Sequence, residues 1–276
     1  MRKLIAGLVS SVLTLLLSLV LLGAGPGPHD HEQSVTVAGR QASSVRSGPW
    51  SDPQTWSLGA APAAGDVVTI GGGHHVIYDI SSEAAIGQLD VQGVLEFNRE
   101  RSTSLDVGNV FVRPGGRFLI GTEDAPMPPS VTARVRFVMD KDGERGLEVM
   151  GEAQVHGAPR THVYTRLATS AKRGDRTLTL ADAVDWRPGD HIVVVTTSVD
   201  PRETEEHDVE RVQGNTVLLR RPLRFQHDGV TPTQAEVALL SRNVLITSRD
   251  PAKRGHTMFH RGATGSISYA EYRTLG

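Results

Sequence analysis

Apolar and polar positions alternate along this chain in short bursts separated by glycine. Four segments share one pattern: VTIGGGHHVIYD from Val67, LDVQGVLEF from Leu89, VFVRPGGRFLIG from Val110 and LEVMGEAQVHG from Leu147. Each opens apolar–any–apolar, bends at glycine and resumes alternating. Alternation at period two predicts a strand with one buried face. Ile70, Val91 and Val112 hold similar places and lie 21 residues apart. A period of roughly 20–25 residues, with short strands and glycine bends, predicts a solenoid of stacked β-coils.

The alternation continues downstream. VTARVRFVMD from Val131 sets Val131, Ala133, Val135, Phe137 and Met139 against Thr132, Arg134 and Arg136, a half-buried strand. KDGERG, Lys141 to Gly146, is a hairpin-type turn. After residue 169 new strands begin. Ile192–Val195 is a continuous apolar run that suits a strand buried on both faces. GNTVLLRRPLRF, AEVALLSRNVLITSRD and GSISYAEYRTLG again alternate between turns. The expected class is all-β, a parallel β-helix-like solenoid with glycine-rich turns and little helix apart from the N-terminal segment.

That N-terminal segment breaks the pattern. Arg2 and Lys3 precede an uncharged apolar run from Leu4 to about Ala24, and Pro26 and Pro28 follow it. A basic start and an apolar core predict a signal peptide over residues 1–24 or, uncleaved, a membrane anchor through residues 4–24. Either reading makes the chain exported, secreted or held at the cell surface. Residues 25–45 are polar and rich in Pro, Gly and Ser, and read as a flexible linker.

Composition narrows the chemistry. The 276 residues carry a net charge of -2, which gives no basic footprint for nucleic acid. Cysteine is absent, so there is no disulfide framework, thiolate metal site or cysteine nucleophile. The 29 glycines fit many turns.

Candidate chemistry is concentrated in SVDPRETEEHDVERV, Ser198 to Val212. A glycan-cleaving site needs two placed carboxyl groups, often with a histidine nearby. Asp200 and Glu206, with His227 from the FQHDG loop, are the catalytic candidates. The bland alternative is a solvated loop leading into a polar edge strand. The same carboxylates suit calcium in kind, but no loop motif supports it, and no cofactor is evident. Glu123 and Asp124 read as a solvated turn. His74 and His75 are consecutive on a strand, so they face opposite sides and do not share a metal. His256 and His260 have metal spacing only on a helix, and MFHRGATGSISY predicts strand. Arg173-Gly174-Asp175 spells an adhesion tripeptide but reads as ordinary turn chemistry.

One region carries a resemblance. Trp50, Pro53, Trp56, Gly59, Pro62, Gly65, Asp66, Val68 and Ile70 form the run W-x-x-P-x-x-W-x-x-G-x-x-P-x-x-G-D-x-V-x-I. The Gly93 bend, IGTEDAP from Ile120 and a final His156-Gly157 follow it. This resembles the G-eight domain, an extracellular module named for its glycines and found in fibrocystin-type proteins and in hyaluronan-binding and hyaluronidase proteins. Gly59, Gly65, Gly93, Gly116, Gly121, Gly151 and Gly157 are the candidate defining glycines, with turns and tight corners as their role. Trp50 and Trp56 are expected to plug the open end of the stack; a sugar-stacking platform is the other reading.

The resemblance implies a G-eight domain over 46–168. It also implies a β-rich region over 169–276 leading into a right-handed parallel β-helix, with the chain stopping in mid-pattern as a fragment would. It further implies an extracellular polysaccharide-contacting module. A polysaccharide hydrolase or lyase and an adhesion module binding matrix protein are the alternatives. No hyaluronan-degrading residue of the family transfers by position, and the sequence leaves oligomeric state open.

Overall fold

The computed structural model describes residues 39–138 and 146–276. The expected signal or anchor, the first part of the linker and most of the Lys141–Gly146 turn lie outside the described residues. No helix among the described residues is long and apolar enough to cross a membrane.

The chain winds through three parallel faces. The first face runs Gln41–Ser43, Val67–Ile70, Ile86–Val91, the second half of Thr103–Val112, Gly146–Val149 and His256–Phe259. The second runs Gly48–Pro49, His75–Tyr78, Val94–Phe97, Arg117–Ile120, Glu152–His156 and Thr264–Ser268. The third begins with the first half of Thr103–Val112 and continues through Ala133–Phe137, Val244–Ser248 and Ala270–Arg273. The 21-residue period appears as strand register. Ile70 pairs with Val91, Val91 with Val112, Val112 with Val149, and Val149 with Phe259. The first four are fully buried, whereas Phe259 in the last described coil is 39% exposed.

The corners explain the glycines. A Cβ on Gly93 would stand 2.3 Å from the His74 carbonyl oxygen, and one on Gly116 2.1 Å from that of Val91. On Gly151 it would meet the Arg113 and Gly116 carbonyls at 2.3 Å each. Successive coils therefore stack backbone on backbone at this corner, where no side chain fits. Gly59, Gly65 and Gly121 sit in turns at positive φ instead.

The tryptophans are interior. Trp50 and Trp56 are 1% and 2% exposed, which removes them as a sugar platform. Their rings lie 4.8 Å apart, and the series continues through Tyr78, Phe97 and Phe118 at 5.1, 5.1 and 5.6 Å. The Trp56 indole donates to the Trp50 carbonyl at 2.7 Å, satisfying the one polar atom this burial would strand. Pro53 opens a single 3₁₀ turn capped by Asp52. Asp66 accepts a two-pronged contact from Arg40 at 2.9 and 2.8 Å.

The Arg40–Asp66 contact corrects one expectation. The flexible linker does not run to Val45: Gln41–Ser43 is the first strand of the stack, with Ala42 buried. Three residues with one small apolar side chain are too little pattern to reveal a strand, and pairing to Val67–Thr69 supplies what the local sequence lacks.

Between the second and third faces of one coil the chain leaves the stack. Residues 164–239 form a separate six-stranded antiparallel sheet, in the order Tyr164–Arg166, Glu236–Leu239, His191–Val194, Glu205–Gln213, Thr216–Leu219, Thr177–Thr179. Leu167, Leu178, Trp186, Ile192, Val209 and Val237 belong to its own core. The expected boundary between 168 and 169 falls inside this sheet, and residues 244–273 rejoin the parallel stack. The Ile192–Val195 run is not buried on both faces. Ile192 and Val194 point into the core while Val193 and Val195 stay half-exposed, because the strand covers the core with one side only.

One side chain closes the junction. Asn243 donates to the Pro128 and Val131 carbonyls at 2.9 and 2.8 Å and accepts from the Ala158 amide at 2.7 Å. It thereby ties the departing strand, the returning strand and the preceding coil together.

Candidate functional site

The three catalytic candidates lie around the inserted sheet but in three different settings. Asp200 caps the 3₁₀ turn Pro201–Glu203. It accepts from the Arg202 amide at 3.0 Å and pairs with the Arg202 guanidinium at 2.8 Å. Those hydrogen bonds hold its carboxyl below the usual carboxylate range. Its job is local structure.

Glu206 lies on the outward side of Glu205–Gln213. Its carboxylate is 2.7 Å from His191 Nε2, and Asp208 stands 3.0 Å from His191 Nδ1. Partial burial works against the charged ring, yet the two carboxylates outweigh it and raise His191 above its ordinary value. These groups border a groove of about 700 Å³ together with His207, Arg221 and Arg224.

His227 is fully buried. Its Nδ1 faces the Val195 carbonyl at 3.1 Å and its Nε2 faces Glu205 at 3.0 Å. Each ring nitrogen thus faces an acceptor. Its partner Glu205 belongs to the same acidic stretch but is not one of the catalytic candidates. The Glu205 carboxylate is completely buried and accepts from the amides of Arg224 and Phe225 at 2.9 and 3.1 Å. Burial alone would push this carboxyl up; the amide and histidine donors win and pull it down to about 2. His207 Nε2 lies 3.0 Å from Glu205 without hydrogen-bond geometry.

Glu205 therefore anchors the 224–227 loop from beneath. The loop in turn walls a second groove of about 960 Å³, where Phe225 meets Arg173, Glu203, Arg224, Gln226 and Asp228. The Arg224 guanidinium sits 5.5 Å from the Phe225 ring centre. Phe225 is half-exposed, giving the groove an aromatic surface flanked by planar polar groups of both signs.

Strand alternation could have found Glu205. Counting inward from Val209 places His207 and Glu205 on the core side. A register shift between Val209 and Arg211 hides the pattern, since it turns Val212 out of phase.

The remaining candidates take structural partners. His74 meets Ser44 and His75 meets Glu96, each at 2.8 Å. Glu123 and Asp124 are exposed in a turn closed by Thr122 and Ala125. His256 and His260, on a strand and the turn after it, both approach Glu148, at 3.9 and 3.3 Å. Asp175 accepts from the Lys172 amide at 2.8 Å and closes its own turn. Among the described residues no group of three or more His, Asp or Glu is placed to hold a metal ion.

Comparison with known proteins identifies relatives of the chain. Residues 55–168 match the G8 domain family. The chain is 31% identical over 220 residues to human fibrocystin-L, covering 73% of this chain and 5% of that protein. It is 31% identical to mouse fibrocystin over 214 residues, covering 71% and 5%. Protein rliB of Dictyostelium discoideum is 24% identical over 237 residues, 80% of this chain and 21% of that protein. Among solved structures, the tailspike of Pseudomonas phage phi297 overlaps 66% of this chain and 27% of its own at 17% identity and a TM-score of 0.29. The chain thus spans only a small part of the fibrocystins it matches. Residues 55–168 are a G8 domain, and the chain is a G8-domain protein related to the fibrocystins.

Proposed function

We propose that this G8-domain protein is exported and contacts extracellular polysaccharide through the Phe225 groove of its inserted sheet. The observation that carries this reading is the half-exposed Phe225 ring among Arg173, Glu203, Gln226 and Asp228, in a groove of about 960 Å³. A sugar ring offers an apolar face to an aromatic and hydroxyls to planar polar groups. The backbone beneath is fixed by Glu205, so the groove is formed before ligand arrives. Calorimetry with a panel of neutral and anionic polysaccharides tests it. Saturable binding that drops about tenfold or more in Phe225→Ala is expected; binding unchanged in that variant overturns it.

A polysaccharide hydrolase or lyase is the second reading, favoured by His191 held between Glu206 and Asp208 beside the neighbouring groove. Chain-length analysis after incubation separates the two readings. Shortened chains whose formation stops in Glu206→Gln would establish the enzyme, and unchanged length with retained binding would remove it. The adhesion reading has no support in the Arg173–Asp175 turn, where the carboxylate is already engaged.

A further inference from the structure

A third cleft lies where the inserted sheet meets the coil stack. It encloses about 350 Å³ between the Arg187–Asp190 turn, Arg160, the Ser241–Asn243 segment that leads into the returning strand, and Thr132 of the stack. Its charges do not balance. Arg160, Arg187 and Arg242 line it, with Asp190 as the one carboxylate among the lining residues.

That carboxylate is already committed. Asp190 takes Arg160 Nη2 at 2.5 Å and the Arg187 amide at 2.7 Å, and the Arg160–Asp190 pair is nine-tenths or nearly so buried. The nearby acids are committed too. Asp185 accepts from the Thr161 and His162 amides, and Glu271, which acts on Arg242 from outside the lining, pairs with Arg273. Neither Arg187 nor Arg242 has a carboxylate within ion-pair distance among the described residues. Arg242 spends one nitrogen on the Leu239 and Ser241 carbonyls at 3.0 and 2.7 Å. Arg187 reaches only the Pro129 carbonyl, at 3.5 Å. Burial first, and Arg160 close by second, hold Arg242 below the usual guanidinium range.

We propose that this junction cleft binds a tetrahedral oxyanion, phosphate or sulfate, between the guanidinium groups of Arg187 and Arg242. Three guanidiniums against one carboxylate leave two positive charges, which a dianion neutralises. The donors come from two separate segments, a turn of the inserted sheet and the stretch that leads back to the stack. A tetrahedral ion accepts from several directions at once, whereas a planar carboxylate is satisfied by a single fork. The ion is either free or the ester group of a larger molecule. This site is independent of the Phe225 groove.

Calorimetric titration of the purified chain with inorganic sulfate and inorganic phosphate, at fixed ionic strength in chloride, tests the proposal. We expect saturable binding of one ion per chain, weakened about tenfold in Arg187→Gln and similarly in Arg242→Lys. Arg187 is exposed and holds no close fold contact, so its variant stays informative if Arg242→Lys disturbs the junction. A sulfated and a phosphorylated monosaccharide form the second arm. Tighter binding of an ester than of the free ion assigns the site to a group on a larger molecule, and the reverse order assigns it to the free ion. Absence of saturable binding, affinity unchanged in Arg187→Gln, or tighter binding of glucuronate than of either dianion overturns the proposal. Arg173→Gln alters the Phe225 groove alone, so polysaccharide binding lost there with sulfate binding kept separates the two sites.

Discussion

The coil stack and the inserted sheet are both made of short β-strands, yet they bury different things. The stack buries columns of matched apolar residues, Ile70 to Val149 on one face and Trp50 to Phe118 inside another. Its buried aspartates are each paired with an arginine, as Asp66 is with Arg40, Asp90 with Arg113 and Asp106 with Arg136. The inserted sheet places an ionised carboxylate, Glu205, beneath a loop and surrounds it with histidines. A repeat must fit its neighbours above and below, which leaves little freedom for polar chemistry inside it. An insertion answers only to its own core and can shape grooves.

The comparison breaks most visibly at the corners. Gly116→Val would drive a side chain into the Val91 carbonyl from 2.1 Å, and we expect no soluble stacked protein, measured by expression and far-UV dichroism. Phe97→Ala, in the middle of the aromatic series, should cost about 3–5 kcal/mol in denaturant unfolding. Removing the buried acid with Glu205→Ala should cost about 3 kcal/mol, since it leaves His227 and two amides without their acceptor. That loss should appear as early hydrogen exchange in 164–239 while 67–156 stays protected. Exchange advancing equally in both would show that the two regions unfold as one.

Acid gives a smaller, graded effect. Glu205 has its carboxyl pulled from 4.5 to about 2 in the fold. Its stabilisation is therefore complete above pH ~4.5 and is lost as pH falls towards 2. Thermal melts between those values should show the inserted sheet weakening, and Glu205→Gln should flatten the dependence. His191 gives the smallest effect, with the opposite sign. Its raised pKa contributes stability below the ordinary histidine value that disappears as pH rises through the folded one. The pair is solvent-accessible, so Glu206→Gln should cost under about 1 kcal/mol. The same change should lower the His191 pKa in an NMR titration; an unmoved value would show that Glu206 does not hold the ring.

The stack was legible because its signal is local and repeated. Ile70, Val91 and Val112 announce the period, and the glycines announce the corners. The inserted sheet was not, because alternation reads the same whether a strand pairs parallel or antiparallel, and its partners lie far apart: Thr177–Thr179 pairs with Thr216–Leu219, and Tyr164–Arg166 with Glu236–Leu239. Asp200, Glu206 and His227 were chosen by residue type from one acidic stretch and one loop. Period two sends Glu206 outward and Glu205 inward, and that single step separates a surface carboxylate from the one that holds the loop. Nothing within AEVALLSRNVLITSRD distinguishes Arg242 and Asn243. Only the return of the chain to the stack gives them roles.

That return has an architectural consequence. Ala158 and Asn243 are joined by one hydrogen bond although 85 positions separate them. The two stems of the inserted sheet therefore emerge side by side, and the coil closes across them much as it would across a tight loop. A coil built this way is indifferent to what hangs from its corner. The inserted sheet with its grooves can be rewritten, enlarged or exchanged as a cassette, while the columns that keep the stack standing go unaltered.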